Sequence, residues 1–214
     1  VSGGNAFFLR NFIYGMPCAP KADPETRKAI ASRLASEGQD ALYRELCEVD
    51  PQYASGIGKN DLSRITRALE VYYSSGCPLS SYKLPSEPRK QYDMLLVGLN
   101  REREELYKRI EARVDQMFRE GLYDEFLDLR KRGYNPESPG MSGIGYREFF
   151  SLEDDTSLTL DDIREQVKKN TRHYAKRQIT FFRKISNVFW ENPDNIDAIL
   201  EKVSRFLLTY GKNL

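Results

Sequence analysis

The chain has 214 residues, with 33 Lys/Arg against 32 Asp/Glu and a net charge of +1. That length suits one large domain or two small ones, and so balanced a charge gives no global pull on polyanions, so nucleic-acid affinity has to come from a local patch. One histidine (His173) and three cysteines (Cys18, Cys47, Cys77) without a C-x-x-C pair argue against a His-rich metal site, a Ser-His-Asp triad with a spare His, a disulfide framework and a thiolate zinc site.

The cysteine usage suits a reducing cytoplasm. No apolar run approaches the ~20 residues of a membrane span, and no signal-peptide pattern is present. The chain opens Val1-Ser2-Gly3-Gly4-Asn5, without methionine, on what reads as the end of a strand entering a glycine turn. We expect a fragment or a trimmed form.

Asn5 to Tyr14 (NAFFLRNFIY) is predicted to be a helix packed on a core and ended near Gly15. Asp23-Pro24 starts the next, with Asp as N-cap and Pro at the first helical position, running to about Gly38. A shorter helix covers Ala41 to Val49. Gly56-Ile57-Gly58-Lys59 lacks the spacing and the Ser/Thr of a P-loop and reads as a turn. Asn60-Asp61 caps a helix closed by Gly76, with Leu62, Ile65, Leu69 and Tyr72 as its seam and Arg64 and Arg67 on one side. Those arginines are either ordinary salt-bridge partners or phosphate contacts. Leu79 to Lys90 is a Ser/Pro/Lys-rich connection, and Tyr92 to Leu99 (YDMLLVGL) reads as a buried parallel strand.

Asn100 is expected to cap a long helix to Gly121, with a shorter one from Leu122 to Arg132 after it. Pro136 to Tyr146 (PESPGMSGIGY) is a small-residue loop. It is either a linker or a place where backbone N–H groups approach an anion. A helix YREFFSL follows, and Thr159 and Asp162 form a capping-box pattern that starts a long helix. After Pro193 a last helix uses Ile196, Ile199, Leu200, Val203, Leu207 and Tyr210.

The most unusual stretch is Val167 to Lys184, VKKNTRHYAKRQITFFRK, with seven Lys/Arg and no Asp or Glu. On a helix it places Val167, Thr171, Tyr174, Gln178, Phe181, Phe182 and Ile185 inward. Lys169, Arg172, His173, Lys176, Arg177, Thr180, Arg183 and Lys184 fall on the opposite arc. Exposed helix faces ordinarily mix signs so that i,i+4 pairs offset repulsion. Either carboxylates elsewhere in the fold neutralise this arc, or it binds phosphates. Gln178, on the apolar side, has to be hydrogen-bonded there or project into a site.

Taken in order, the blocks GGNAFFLRNFIYGMP, DPETR, DPQYASGIGKNDLSRITRALEVYYSSGCPLS, LYKRIEARVDQMFREGLYDEFLDL, GMSGIGYREFF and NTRHYAKRQITFFR closely resemble the tRNA dimethylallyltransferases, from Gly3 to about Lys184. The resemblance implies an α/β fold: part of a P-loop-type parallel-sheet core over residues 1–21, a helical tRNA-binding insertion over 22–88, and a core strand with C-terminal helices over 89–214. The implied activity is transfer of a dimethylallyl group from dimethylallyl diphosphate to N6 of adenosine 37 in tRNA, assisted by Mg2+. A cytoplasmic monomer gripping the anticodon arm is expected.

Residue by residue, the family's tRNA contacts fall on Asn5, Arg27, Ser63, Arg64, Arg67, Ser142, Gly143, Gly145, Tyr146, Arg147, Lys176, Arg177, Gln178, Thr180, Phe181 and Arg183. Arg172 is a candidate for the diphosphate. The family usually has Thr at Asn5 and Trp at Phe181. Its phosphate-binding loop and its catalytic aspartate lie upstream of the match, so the resemblance implies that this polypeptide alone would be inactive or nearly so. A non-catalytic RNA-binding module and a helical protein-interaction scaffold are the competing readings.

Overall fold

The computed structural model describes residues 1–82 and 85–210, the side chain of Tyr210 excepted. Lys83 and Leu84 of the expected connection, and the Tyr210 side chain of the expected C-terminal seam, therefore lie outside the described residues. In chain order the elements are α1 (Ala6–Tyr14), α2 (Pro24–Glu37), α3 (Gln39–Val49), α4 (Pro51–Ala54), α5 (Leu62–Ser75), β1 (Leu96–Leu99), α6 (Arg103–Arg119), α7 (Leu122–Lys131), α8 (Ser151–Asp154), α9 (Leu160–Phe182), β2 (Val188–Glu191) and α10 (Ile196–Tyr210). The fold is α/β, mostly helical, with a small parallel sheet. It divides into two compact units, Phe7–Gln91 and Val1–Ala6 with Tyr92–Leu214.

In the unit Phe7–Gln91, α2 starts where the Asp23 carboxylate accepts from Thr26 N–H at 2.8 Å and from its hydroxyl at 2.7 Å. It stops at Gly38, whose φ of 82° a side chain would resist. Ile30 of α2, Leu42 and Leu46 of α3 and Ile65 and Leu69 of α5 form the core. Asp50 lies inside it, one carboxylate oxygen accepting Tyr53 N–H at 3.0 Å and the other Ser80 N–H at 2.8 Å. It therefore caps α4 and ties down the 3-10 turn Leu79–Ser81. Asp50→Ala leaves both amides without their acceptor and should cost about 2 kcal/mol. The denaturant midpoint of the purified chain measures this, and an unchanged midpoint would show those amides to be otherwise satisfied.

The expected packing of α1 on a core is not what the structure has. Only Ile13 of that helix is buried, while Phe7, Phe8 and Phe12 are exposed. Its attachment is polar: Arg89 donates from N–H to Ile13 O and from Nε to Phe12 O, and Arg10 donates to Pro85 O. The Arg89 head thus satisfies a carbonyl in the last turn of the helix, which its own backbone cannot.

In the other unit the expected strand is shorter and only half-buried. β1 pairs in parallel with β2, which the sequence reading lacked, in the register Leu96 to Val188 through Leu99 to Glu191. Gly98 faces Trp190, and a Cβ there would lie 2.6 Å from the indole, so the ring occupies the place a side chain would take. Asn100 does not cap α6. Its N–H donates to Glu191 O, extending the ladder, and the helix begins after Glu102.

α6 and α9 pack through Val114, Ile163 and Val167, with Leu122 and Phe126 of α7 and Phe149 completing the core. The expected YREFFSL helix is a 3-10 turn, Arg147–Phe150, running into α8. The capping box at α9 is present: Thr159 and Asp162 exchange backbone and side-chain hydrogen bonds. The bonds from the Thr159 hydroxyl and N–H hold the Asp162 carboxyl below the usual carboxylate range. Along α10, Ile199 and Val203 are half-buried, but Ile196, Leu200 and Leu207 of the expected seam are exposed. Lys202, whose ammonium lies over the Phe189 ring, links this helix to β2.

Candidate nucleic-acid interface

The charges of α9 divide along its length. Asp161 and Asp162 sit in the first turn, where the helix dipole favours anions, and the uncompensated cations lie toward the other end. Lys168 bonds Asp115 of α6 at 2.7 Å and Glu165 at 2.9 Å, and Arg172 Nη1 lies 2.7 Å from Glu111 Oε1. The Asp115 bond, chiefly, raises the Lys168 ammonium above its ordinary value, and the same bond lowers Asp115. For Lys168 and Arg172, carboxylates of the fold supply the neutralisation that the sequence left open. Arg172, the candidate for the diphosphate, thus has a protein carboxylate as its partner.

Beyond Arg172 the pairing stops. Lys169, His173, Lys176, Arg177 and Thr180 are exposed on α9, and Arg183 and Lys184 are exposed in the turn after Phe182. Among the described residues none of Lys169, Lys176, Arg177, Arg183 and Lys184 has a carboxylate within ion-pair distance. His173, Lys176, Arg177, Thr180, Phe181 and Lys184 line an open groove of about 460 Å³. Aromatic rings contact two of these lining residues. Arg177 holds its guanidinium 5.9 Å from the ring centre of Tyr174, and Phe181 meets Phe182 edge-on at 5.7 Å.

Tyr174, expected inward, is exposed. Gln178 is half-buried and donates from Nε2 to Gly4 O at 2.6 Å. A Cβ at Gly4 would lie 2.5 Å from that nitrogen. The residue before Asn5 is therefore fitted to the basic helix, and Asn5 itself is exposed.

The glycine-rich loop is a built turn. Met141 is buried in the core, Gly140 and Gly145 adopt positive φ, and Ser142 and Gly143 are exposed. Most of its backbone N–H groups are already taken within the protein. Those of Met141, Gly143, Tyr146 and Arg147 donate to carbonyls within the turn, and that of Gly145 donates to the Glu148 carboxylate at 2.8 Å. The loop instead presents Ser142 and the half-exposed Arg147. Tyr146 is half-buried, and burial first, then its bond to Glu125, pushes its phenol above the ordinary value.

Glu148 and Asn170 were missed from sequence. Glu148 is only 4 % exposed and accepts from Arg147 Nε at 2.8 Å and Asn170 Nδ2 at 2.7 Å besides Gly145. One signal could have found it: a carboxylate directly before the apolar pair Phe149-Phe150 has to be satisfied if that pair is buried.

In the helical unit, Ser63 and Arg64 are exposed on α5, with Arg64 3.3 Å from Asp61. Arg67 donates from Nη2 to Pro20 O at 2.8 Å, and it shares Glu70 with the exposed Arg27 at 3.7 and 3.8 Å. Arg67 thus holds the chain entering α2, whereas Arg27 and Arg64 keep most of their surface in solvent.

Comparison with known proteins gives this surface its context. The family model described as IPP transferase matches residues 1–185. The chain is 40% identical over 209 residues to the tRNA dimethylallyltransferase of Geobacter sulfurreducens, covering 95% of this chain and 66% of that one. It is 43% identical over 192 residues to that of Salinibacter ruber, covering 89% and 58%. The chain thus spans less than two thirds of the length of these curated relatives.

Among solved structures, the full-length tRNA isopentenylpyrophosphate transferase of Bacillus halodurans superposes with a TM-score of 0.59 at 32% identity, over 96% of this chain and 65% of that one. A eukaryotic dimethylallyltransferase acting on tRNA superposes with a TM-score of 0.66 at 25% identity, over 89% and 50%. With the family match running through both compact units and relatives 40% identical along nearly all of its length, this chain belongs to the IPP transferase family.

Proposed function

We propose that the whole protein transfers a dimethylallyl group from dimethylallyl diphosphate to N6 of adenosine 37 in tRNA, and that this chain supplies surface that grips the anticodon arm. The observation that carries the second half is the cluster of exposed cations without carboxylate partners among the described residues, Lys169, Lys176, Arg177, Arg183 and Lys184, on a protein whose net charge is only +1. The names of the relatives support the first half. In the transfer, the allylic carbon–oxygen bond to diphosphate breaks, a carbon–nitrogen bond to N6 forms, and N6 loses a proton to a base. The adenine must first leave the anticodon stack. Lys176, Arg177 and Arg183 would hold flanking phosphates, with Gln178, Thr180 and Phe181 beside them; Ser142 and Arg147 would add contacts from the loop, and Arg27, Ser63 and Arg64 from the helical unit.

Magnesium would accompany the diphosphate. Among the described residues no group of three or more His, Cys, Asp or Glu side chains could hold a metal ion, so no step is assigned to it. No helix among the described residues is long and apolar enough to cross a membrane, and we place the protein in the cytoplasm, acting as a monomer.

The test uses cells lacking N6-prenylated adenosine in tRNA, complemented with the whole protein. Mass analysis of nucleosides from their tRNA should show the dimethylallyl group at adenosine 37. Binding of tRNA with adenosine 37 unmodified would overturn the transferase reading in favour of a non-catalytic RNA-binding module.

A further inference from the structure

We propose that Glu148 is a positioning residue for RNA binding, a buried latch that locks the Ser142–Arg147 turn to α9 and aims Arg147 outward; the proposal rests on the tRNA-binding reading of the preceding section. Three donors from three places meet on this one carboxylate. Gly145 N–H comes from the turn, Arg147 Nε from the surface, and Asn170 Nδ2 from α9 one turn before His173. Asn170 is itself oriented by Gln166 at 3.2 Å. Among the described residues Glu148 is the sole acceptor of Arg147, and it takes Nε alone, while 46 % of that side chain stays exposed. A guanidinium held by one edge keeps its Nη groups for a bidentate partner such as a phosphate, with its direction already fixed.

The turn also needs the latch. Gly145 sits at φ 107° and is buried, so its N–H cannot turn to water if the carboxylate is removed. Fixing Arg147 against α9 means that the loop and the basic face meet RNA as one rigid surface, with less ordering left to do on binding.

Electrostatics alone predicts the opposite sign, which makes the idea testable. Removing a negative charge next to a phosphate-binding surface should tighten binding of a polyanion. Loss of a positioning group should weaken it. The full chain, as wild type and as Glu148→Gln, Asn170→Ala, Arg147→Ala, Lys176→Ala and the double variant Glu148→Gln/Arg147→Ala, is titrated with tRNA by fluorescence anisotropy across a range of salt.

Glu148→Gln should weaken binding about fivefold and reduce the salt slope by about one unit, the value of one phosphate contact. In the Arg147→Ala background it should have no further weakening effect, because the group it positions is gone. Asn170→Ala, which leaves the carboxylate and its two other donors in place, should weaken binding about twofold and serves if Glu148→Gln does not fold. Tighter or unchanged binding in Glu148→Gln, or an equal loss with and without Arg147, overturns the latch. If Lys176→Ala weakens binding in that same experiment, the RNA reading stands while the latch falls. A wild type without salt-dependent tRNA binding overturns both.

Discussion

Replacing Lys176, Arg177, Arg183 and Lys184 together by alanine is expected to reduce tRNA affinity by about a thousandfold to ten-thousandfold at 0.1 M salt. Each neutralised phosphate adds just under one unit to the slope of log K against log salt, so removing four cations that each neutralise one phosphate amounts to roughly three to four log units at that concentration. The slope itself should fall by about three to four units, whatever the sequence of the RNA. These four side chains are exposed and free of carboxylates among the described residues, so the fold should be nearly indifferent to their replacement, with stability changing by about 0.5 kcal/mol or less for each.

Arg172 provides the contrast. Its guanidinium is half-buried against Glu111, so Arg172→Ala should leave the slope nearly unchanged and disturb the α6–α9 packing instead. Filter binding of labelled tRNA at four or five salt concentrations measures both variants. An unchanged slope in the fourfold variant would remove the basis for an RNA-facing α9.

The largest effect on stability should come from Phe149→Ala. That side chain is fully buried, and its ring centre lies 5.6 Å from Phe118, 5.2 Å from Tyr123 and 5.1 Å from Phe126. Truncation removes apolar packing against three rings and leaves a cavity, for a cost of about 3–5 kcal/mol. With about 2–4 °C of midpoint per kcal/mol in a chain of this size, the calorimetric midpoint of the unit holding α6 to α9 should fall by about 10 °C. Phe149→Leu, which refills most of the space, should lose far less. Equal losses for Ala and Leu would mean that the ring geometry, not the filled volume, is what the core requires. Phe149 follows Glu148 directly, so the alanine variant should also loosen the turn that carries Arg147.

Most helix ends were legible because their signals are local. Asp23 before Pro24, Asp61 before α5 and the Thr159/Asp162 pair each satisfy amides within three residues of themselves, and glycine ends α2 and α5 where φ turns positive. The basic arc was legible for the same reason, since helical period assigns residues to faces without reference to the rest of the chain. The errors have a common origin. Asn100 looked like a cap until its N–H found Glu191, 91 positions away. β2 is four residues long, too short to show a period, and only pairing with β1 makes it a strand. Tyr174 followed the apolar face by period but has nothing over it.

What the amino-acid order determined by itself is therefore the longer helices, most of their caps, and the clustering of seven cations between Val167 and Lys184, because hydrogen bonds spanning three or four residues and a fixed angular period decide these. Tertiary structure decided which of those charges are still available. Asp115 and Glu111 on a neighbouring helix take up Lys168 and Arg172 and leave the cations from Lys176 onward unpaired. It also decided that Glu148 is buried where three donors from separate segments converge. Ion pairing and burial depend on which distant residues approach within a few ångströms, and no local pattern records that distance.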